Sequence, residues 1–145
     1  MSIDGLSDDG VAAILKRVKS FAVVGASDRP ARPSYGVVQF LLGKGYDVKP
    51  VNPGIAGRRI HGQPVYASLA EVPPPVDVID IFRAPAAALG AVRDAIAVKD
   101  KLGASVVWMQ VGVINEAAAA EARKAGFTVV MDRCPKIEFS RLIAY

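Results

Sequence analysis

Residues 21–36 read FAVVGASDRPARPSYG. An apolar run closes on Gly25, then comes a loop of small residues, prolines and arginines, and Ser34 stands where a helix can begin. A buried strand, a glycine turn and a helix in that order are how a nucleotide-binding βα unit opens. The dinucleotide fingerprint G-x-G-x-x-G is incomplete, because its three glycine positions hold Gly25, Ser27 and Pro30. The stretch therefore predicts the architecture and leaves the ligand open.

Working outward, the same alternation continues. Ser7 is placed as an N-cap before Asp8 and Asp9, and Val11, Ile14, Leu15 and Val18 come after it at helical spacing. After the 21–25 strand, the helix from Ser34 carries Val37, Val38, Phe40, Leu41 and Leu42 and stops at Gly43 and Gly45. A strand is expected over 46–51, closed by the turn Asn52-Pro53-Gly54. Residues 54–75 read as loop, with a short strand over 64–66 and a capping-box turn from Ser68 to Glu71. Then come a strand over 76–82, a helix from Pro85 through the alanine-rich run 86–98 and a strand over 104–110. A helix capped by Asn115, a strand over 127–131 and a short helix over 136–142 complete the series. The strand segments are nearly continuous apolar runs, so both sheet faces are expected to be covered. The reading is α/β: a Rossmann-like, doubly wound, mainly parallel five-stranded sheet with helices on both faces, in one domain over 1–145.

Composition bounds the function. The chain has 145 residues, of which 52% are hydrophobic and 22% charged, enough for a substantial core. No apolar stretch approaches the ~20 residues that span a bilayer, and the start MSIDGLSDDG is polar and acidic, so we expect a cytoplasmic protein that makes no use of a membrane. One cysteine, Cys134, and one histidine, His61, leave little for a disulfide framework, a metal centre or a histidine relay. A net charge of +4 suits anionic ligands. With no Lys/Arg tract and no aromatics interleaved with basic residues, nucleic acid is not the expected partner.

In a doubly wound sheet the ligand sits beyond the carboxyl ends of the strands, where strand order reverses. The segment after the first strand brings Gly25-Ala26-Ser27, Arg29, Arg32 and Ser34-Tyr35-Gly36 to that edge. The segments after the other strands add Asn52-Pro53-Gly54, with Arg58 and Arg59 nearby, Phe82-Arg83, Gln110-Val111-Gly112-Val113 and Asp132-Arg133-Cys134-Pro135. Trp108 is read as core. Where an NAD site has an acid for the ribose, this chain has Asn52-Pro53, and a ribose phosphate would meet arginine instead of a repelling carboxylate. NADP and coenzyme A both carry such a phosphate.

The pieces VVGAS (23–27), RPSYG (32–36), PVNP (50–53), VDVIDIFR (76–83), VVWMQVGVINEAAA (106–119) and VMDRCPKIE (130–138) stand in an order that resembles the small stand-alone CoA-binding proteins. Their domain is similar to the N-terminal domain of succinyl-CoA synthetase alpha subunits, and the resemblance runs over roughly residues 10–143. It implies a Rossmann-like fold and coenzyme A as the cofactor. By carry-over, Gly25, Ala26 and Ser27 would pack against the phosphates, with Arg32, Pro33, Ser34 and Tyr35 completing that wall. Asn52 and Pro53 would border the nucleotide, Phe82 and Arg83 the nucleotide or pantetheine arm, and Gln110, Gly112 and Val113 the arm or its thiol end. Pro135 departs from the resemblance, where an aliphatic residue is usual. The synthetases' phosphorylated histidine belongs to a later domain that this sequence does not include, and His61 lies in the wrong place to replace it.

No catalytic set emerges. Cys134 has Arg133 and a helix start beside it but no histidine base, and reads as a structural thiol, with a mixed disulfide to CoA as the alternative. Asp77 and Asp80, three apart in a strand, face opposite ways. The expectation is non-catalytic binding of CoA or an acyl-CoA as carrier, sensor or regulator, by a monomer or homodimer whose partner is a small molecule. The alternatives are an NADP-binding reductase-like or acyl-CoA-using small enzyme, and an adaptor that uses its basic rim on nucleic acid or protein.

Overall fold

The computed structural model describes residues 2–143. Five parallel strands form the central sheet: β1 (Ser20–Val24), β2 (Asp47–Val51), β5 (Val78–Ile81), β6 (Val106–Met109) and β7 (Thr128–Val130). They lie in the order β2-β1-β5-β6-β7, with Val23 beside Asp80 and Asp80 beside Trp108 in register. The chain moves outward from β1 to β2 and then returns across the sheet to β5, so strand order reverses between β1 and β5.

Two apolar layers sandwich the sheet. One packs α1 (Asp8–Arg17), α2 (Pro33–Gly43) and α5 (Pro135–Leu142) on Phe21, Val23, Val78, Trp108 and Val130. The other packs α3 (Ala88–Leu102) and α4 (Glu116–Lys124) on Ala22, Ile79, Ile81, Val107 and Val129. The alternation within each strand is hidden in the sequence because both faces are apolar. Ser7 caps α1 by accepting from Gly10 N at 3.1 Å, and Asn115 caps α4 by accepting from Ala118 N at 3.0 Å. Trp108 is fully buried, and its Nε1 donates to Arg133 O at 2.8 Å.

The 54–75 segment differs in detail from expectation. In place of a strand over 64–66, β3 (Arg59–Ile60) and β4 (Gln63–Pro64) form a small antiparallel hairpin, and Tyr66 makes a lone parallel bridge to Val51. Both turn residues of the hairpin, His61 and Gly62, take positive φ (48° and 82°). The 3-10 turn Leu69–Glu71 forms, but the Ser68 side chain does not cap it. Helix α5 starts at Pro135 rather than 136, with proline in the first turn where its missing N–H costs nothing.

Candidate functional site

A cavity of about 570 Å³ opens at the carboxyl edge of the sheet, at the β1/β5 reversal. Its geometry begins with Gly25. This residue has φ +85°, and a Cβ there would stand 2.1 Å from Phe82 O. Only glycine lets the ends of β1 and β5 close this tightly. Gly25 N donates to Val51 O at 2.9 Å, which ties the loop to β2 as well.

The loop after β1 is braced from within. Ser27 N donates to Ser34 Oγ at 3.0 Å, and Arg29 N donates to Ser27 Oγ at 3.1 Å. Asn52 Nδ2 donates to Ala26 O at 2.8 Å while its Oδ1 accepts from Gly54 N at 2.9 Å. These bonds hold the loop against α2, whose N-terminus faces the cavity. Arg32 is the N-cap and makes no side-chain capping bond, Pro33 occupies the first turn, and no acid stands there. Arg32 N and Tyr35 N bond to Arg29 O and Arg32 O, so the backbone N–H of Ser34 and the positive dipole end of α2 are what this turn offers to an anion.

Gly25, Ser27, Arg32, Pro33, Ser34, Asn52, Phe82, Arg83, Gln110 and Val113 all line the cavity. Four other residues of the expected site stand beside it. Ala26 is fully buried and contributes backbone, and the Tyr35 ring lies 4.1 Å from the His61 ring while Tyr35 O bonds His61 Nε2 at 2.9 Å. Pro53 turns to a neighbouring cavity of about 270 Å³ that shares Arg83 with the first, and Gly112 is exposed with its N–H donating to Asp132 Oδ1 at 2.8 Å. Arg29 and Val111 also line the cavity, although the sequence alone assigns them no ligand role. Both stand on the strand-end edge where the sequence predicts the ligand, and that placement is the signal that points to them.

The arginines divide sharply. Among the described residues, no side-chain partner is found for the guanidiniums of Arg29, Arg32 and Arg83, all at the cavity. Arg58 pairs with Asp28 at 3.2 Å and Arg59 donates to Gly62 O at 2.9 Å. Arg133, expected on the rim, is instead buried at the far side of β7. Its Nε meets Asp4 Oδ2 at 2.8 Å and its Nη1 meets Glu138 Oε1 at 3.0 Å. Burial pushes the Asp4 carboxyl up, but hydrogen bonds from Arg133, Ser2, Leu6 and Met131 outweigh it and hold the group at about 2. Cys134 is buried in the α1/α2/α5 layer and does not line the cavity.

Two buried polar side chains, Gln110 at the cavity and Asp80 beneath its Phe82 wall, carry oxygens without partners. Gln110 lines the cavity, and its buried Oε1 has no hydrogen bond. Asp80, one pleat below Phe82 on the same sheet face, is fully buried with both carboxyl oxygens unbonded. Burial pushes its carboxyl well above the usual carboxylate range. Asp77, facing the other way, accepts from Lys19 N at 2.7 Å and from Ser20 N at 3.2 Å and caps the entry to β1. Among the described residues no cluster of His, Cys, Asp and Glu could hold a metal ion, and no helix is long and apolar enough to cross a membrane.

Known proteins share this architecture and sequence. The chain is 36% identical over 127 residues to the uncharacterized protein YneT of Bacillus subtilis (strain 168), covering 88% of this chain and 90% of that one. A solved structure of a hypothetical protein from Pyrococcus horikoshii OT3 is 39% identical with a TM-score of 0.90, covering 99% of this chain and 97% of that one. One from Thermus thermophilus is 35% identical with a TM-score of 0.88, covering 95% and 100%. Residues 19–140 match the family model of the CoA binding domain, and the chain belongs to that CoA-binding family.

Proposed function

We propose that the cavity at the β1/β5 reversal holds coenzyme A or an acyl-CoA without catalysing its conversion, in a carrier, sensor or regulatory role. The observation that carries this reading is the gathering of Arg29, Arg32 and Arg83, all without side-chain partners among the described residues, around an uncapped helix N-terminus in a chain of the CoA-binding family. Three cations and one dipole end suit a pyrophosphate together with a ribose phosphate. Asn52 stands where an NAD site would present an acid, and its side chain braces the loop, so nothing there repels a phosphorylated ribose.

In this reading the phosphates lie against Gly25–Ser27 and the start of α2. Phe82 and Arg83 meet the nucleotide or the pantetheine arm, and Gln110 and Val113 meet the arm or its thiol end. A non-catalytic role is supported by what the hydroxyls already do, since Ser27 and Ser34 accept hydrogen bonds that hold the loop. Calorimetric titration with CoA, dephospho-CoA, NADPH and ATP at one salt concentration tests the reading. The expected order places CoA first and dephospho-CoA clearly weaker. NADPH or ATP binding as tightly as CoA would contradict it.

A further inference from the structure

The two side chains with unbonded buried oxygens, Asp80 and Gln110, stand in a defined relation. Asp80 lies opposite Trp108 in the parallel pairing of β5 with β6, and Gln110 is two residues beyond Trp108, its N–H continuing the ladder to Ile81 O at 3.2 Å. Asp80 and Gln110 therefore point to the same face, about 4.8 Å apart across the strands and about 6.6 Å along them. A carboxyl and a carboxamide are together long enough to meet across that diagonal. Their three oxygens, Asp80 Oδ1 and Oδ2 and Gln110 Oε1, are the buried side-chain polar atoms left unbonded among the described residues.

All three atoms are acceptors if Asp80 is ionised, and buried acceptors on one face with no donor among them have no compensation. One proton changes this, because a carboxylic acid donates. The other half of the carboxamide gives the direction. Gln110 Nε2 has no protein partner and is not among the buried unbonded atoms, so it is the end that meets the cavity.

We propose that Asp80 is a positioning residue for the cavity: it keeps one proton, donates it to Gln110 Oε1, and so holds the Gln110 amide NH2 toward acceptor oxygens of the bound ligand. The ligand half of this statement rests on the reading of the cavity as a CoA site; the Asp80–Gln110 pair itself does not. Ionisation of Asp80 would set acceptor against acceptor and turn the carboxamide, withdrawing the donor from the cavity. No charged group offsets this, because burial alone accounts for the shift of Asp80. In register with Asp80 are Val23 of β1 and Trp108 of β6, and the layer that α1, α2 and α5 pack over this face is mainly apolar. Among the described residues, its buried polar groups are the Ser34 hydroxyl of α2, which accepts from Ser27 N, the Cys134 thiol, and Glu138 of α5 with Arg133, which pair with each other and, through Arg133, with Asp4.

The experiment compares wild type, D80N and D80L. Asparagine retains a donor that cannot be lost with pH, whereas leucine has none. Without ligand, the side-chain amide NMR signals of Gln110, identified by their loss in Q110M, are followed against pH. They are expected to titrate in wild type and to stay fixed in D80N. With CoA, D80N is expected to bind within about twofold of wild type, and D80L roughly tenfold more weakly. Wild-type affinity is expected to fall toward alkaline pH by more than that of D80N. Gln110 signals that move alike in wild type and D80N, or D80N binding as weakly as D80L, would overturn the proposal. A wild-type protein that does not bind CoA would overturn the ligand reading, and the ligand-free signals would still decide the pair.

Discussion

The rim of the cavity and the α5 latch are both built around arginine, yet they differ in one respect. At the latch, Arg133 is buried between Asp4 and Glu138, and Arg141 joins Glu138 at 2.7 Å and Asp8 at 2.8 Å. Every charge there is answered within the chain, and the network fastens the N-terminal segment to the last helix. At the rim, Arg29, Arg32 and Arg83 face open volume with no protein partner among the described residues. Charge satisfied internally holds the fold, and charge left unsatisfied beside an uncapped helix N-terminus is available to a ligand. The two regions should therefore respond to mutation in opposite ways.

The largest effect belongs to the backbone that shapes the rim. Gly25→Ala places a Cβ against Phe82 O at a positive φ, and neither strand end can yield cheaply. We expect a loss of about 4 kcal/mol or more in chemical denaturation, with ligand binding lost as well. Next, Asp4→Asn leaves Arg133 buried beside an uncharged partner and is expected to cost about 3 kcal/mol at neutral pH with CoA affinity unchanged in the protein that remains folded. The pH dependence has a definite sign. The folded carboxyl of Asp4 sits at about 2, below its ordinary value of 3.8, so its contribution is full above about 4 and is lost as pH falls toward 2. Denaturation midpoints of wild type and Asp4→Asn measured across that interval should converge at the acid end.

Arg83→Ala should do the reverse of the latch variant. Calorimetry should show CoA affinity falling by roughly 10- to 100-fold, as expected for a charge-assisted phosphate contact, while the thermal midpoint stays near that of wild type. A large fall in midpoint would mean that Arg83 belongs with the structural arginines. The smallest effect is expected at Arg93, which pairs with Glu121 at 3.1 Å on the exposed surface. Arg93→Ala should change neither the thermal midpoint nor CoA affinity measurably.

The legibility of each region depends on the range of its interactions. The β1–loop–α2 unit and the caps at Ser7 and Asn115 are local, set by residues within a turn of one another, and the sequence displays them directly. The same is true of Gly25, whose neighbours in the chain already mark a strand-to-helix turn. The sequence alone places Arg133 on the rim because its partner Asp4 lies 129 residues away, and nothing near Arg133 in the chain announces that pairing. The β3–β4 hairpin is blurred because its strands are two residues long and its turn uses His61 at positive φ, a residue without a strong turn signature. The spacing of Asp77 and Asp80 is enough to put them on opposite faces. That one caps a strand while the other lies unbonded under a cavity depends on what the fold packs around each.

The most direct measurement is an amide chemical-shift map of the protein titrated with CoA. The account predicts perturbations concentrated at residues 25–35, 52–53, 82–84 and 110–113, with the amides around Asp4, Arg133 and Glu138 unmoved. Perturbations centred on the latch, or no saturable shifts at the rim, would contradict it.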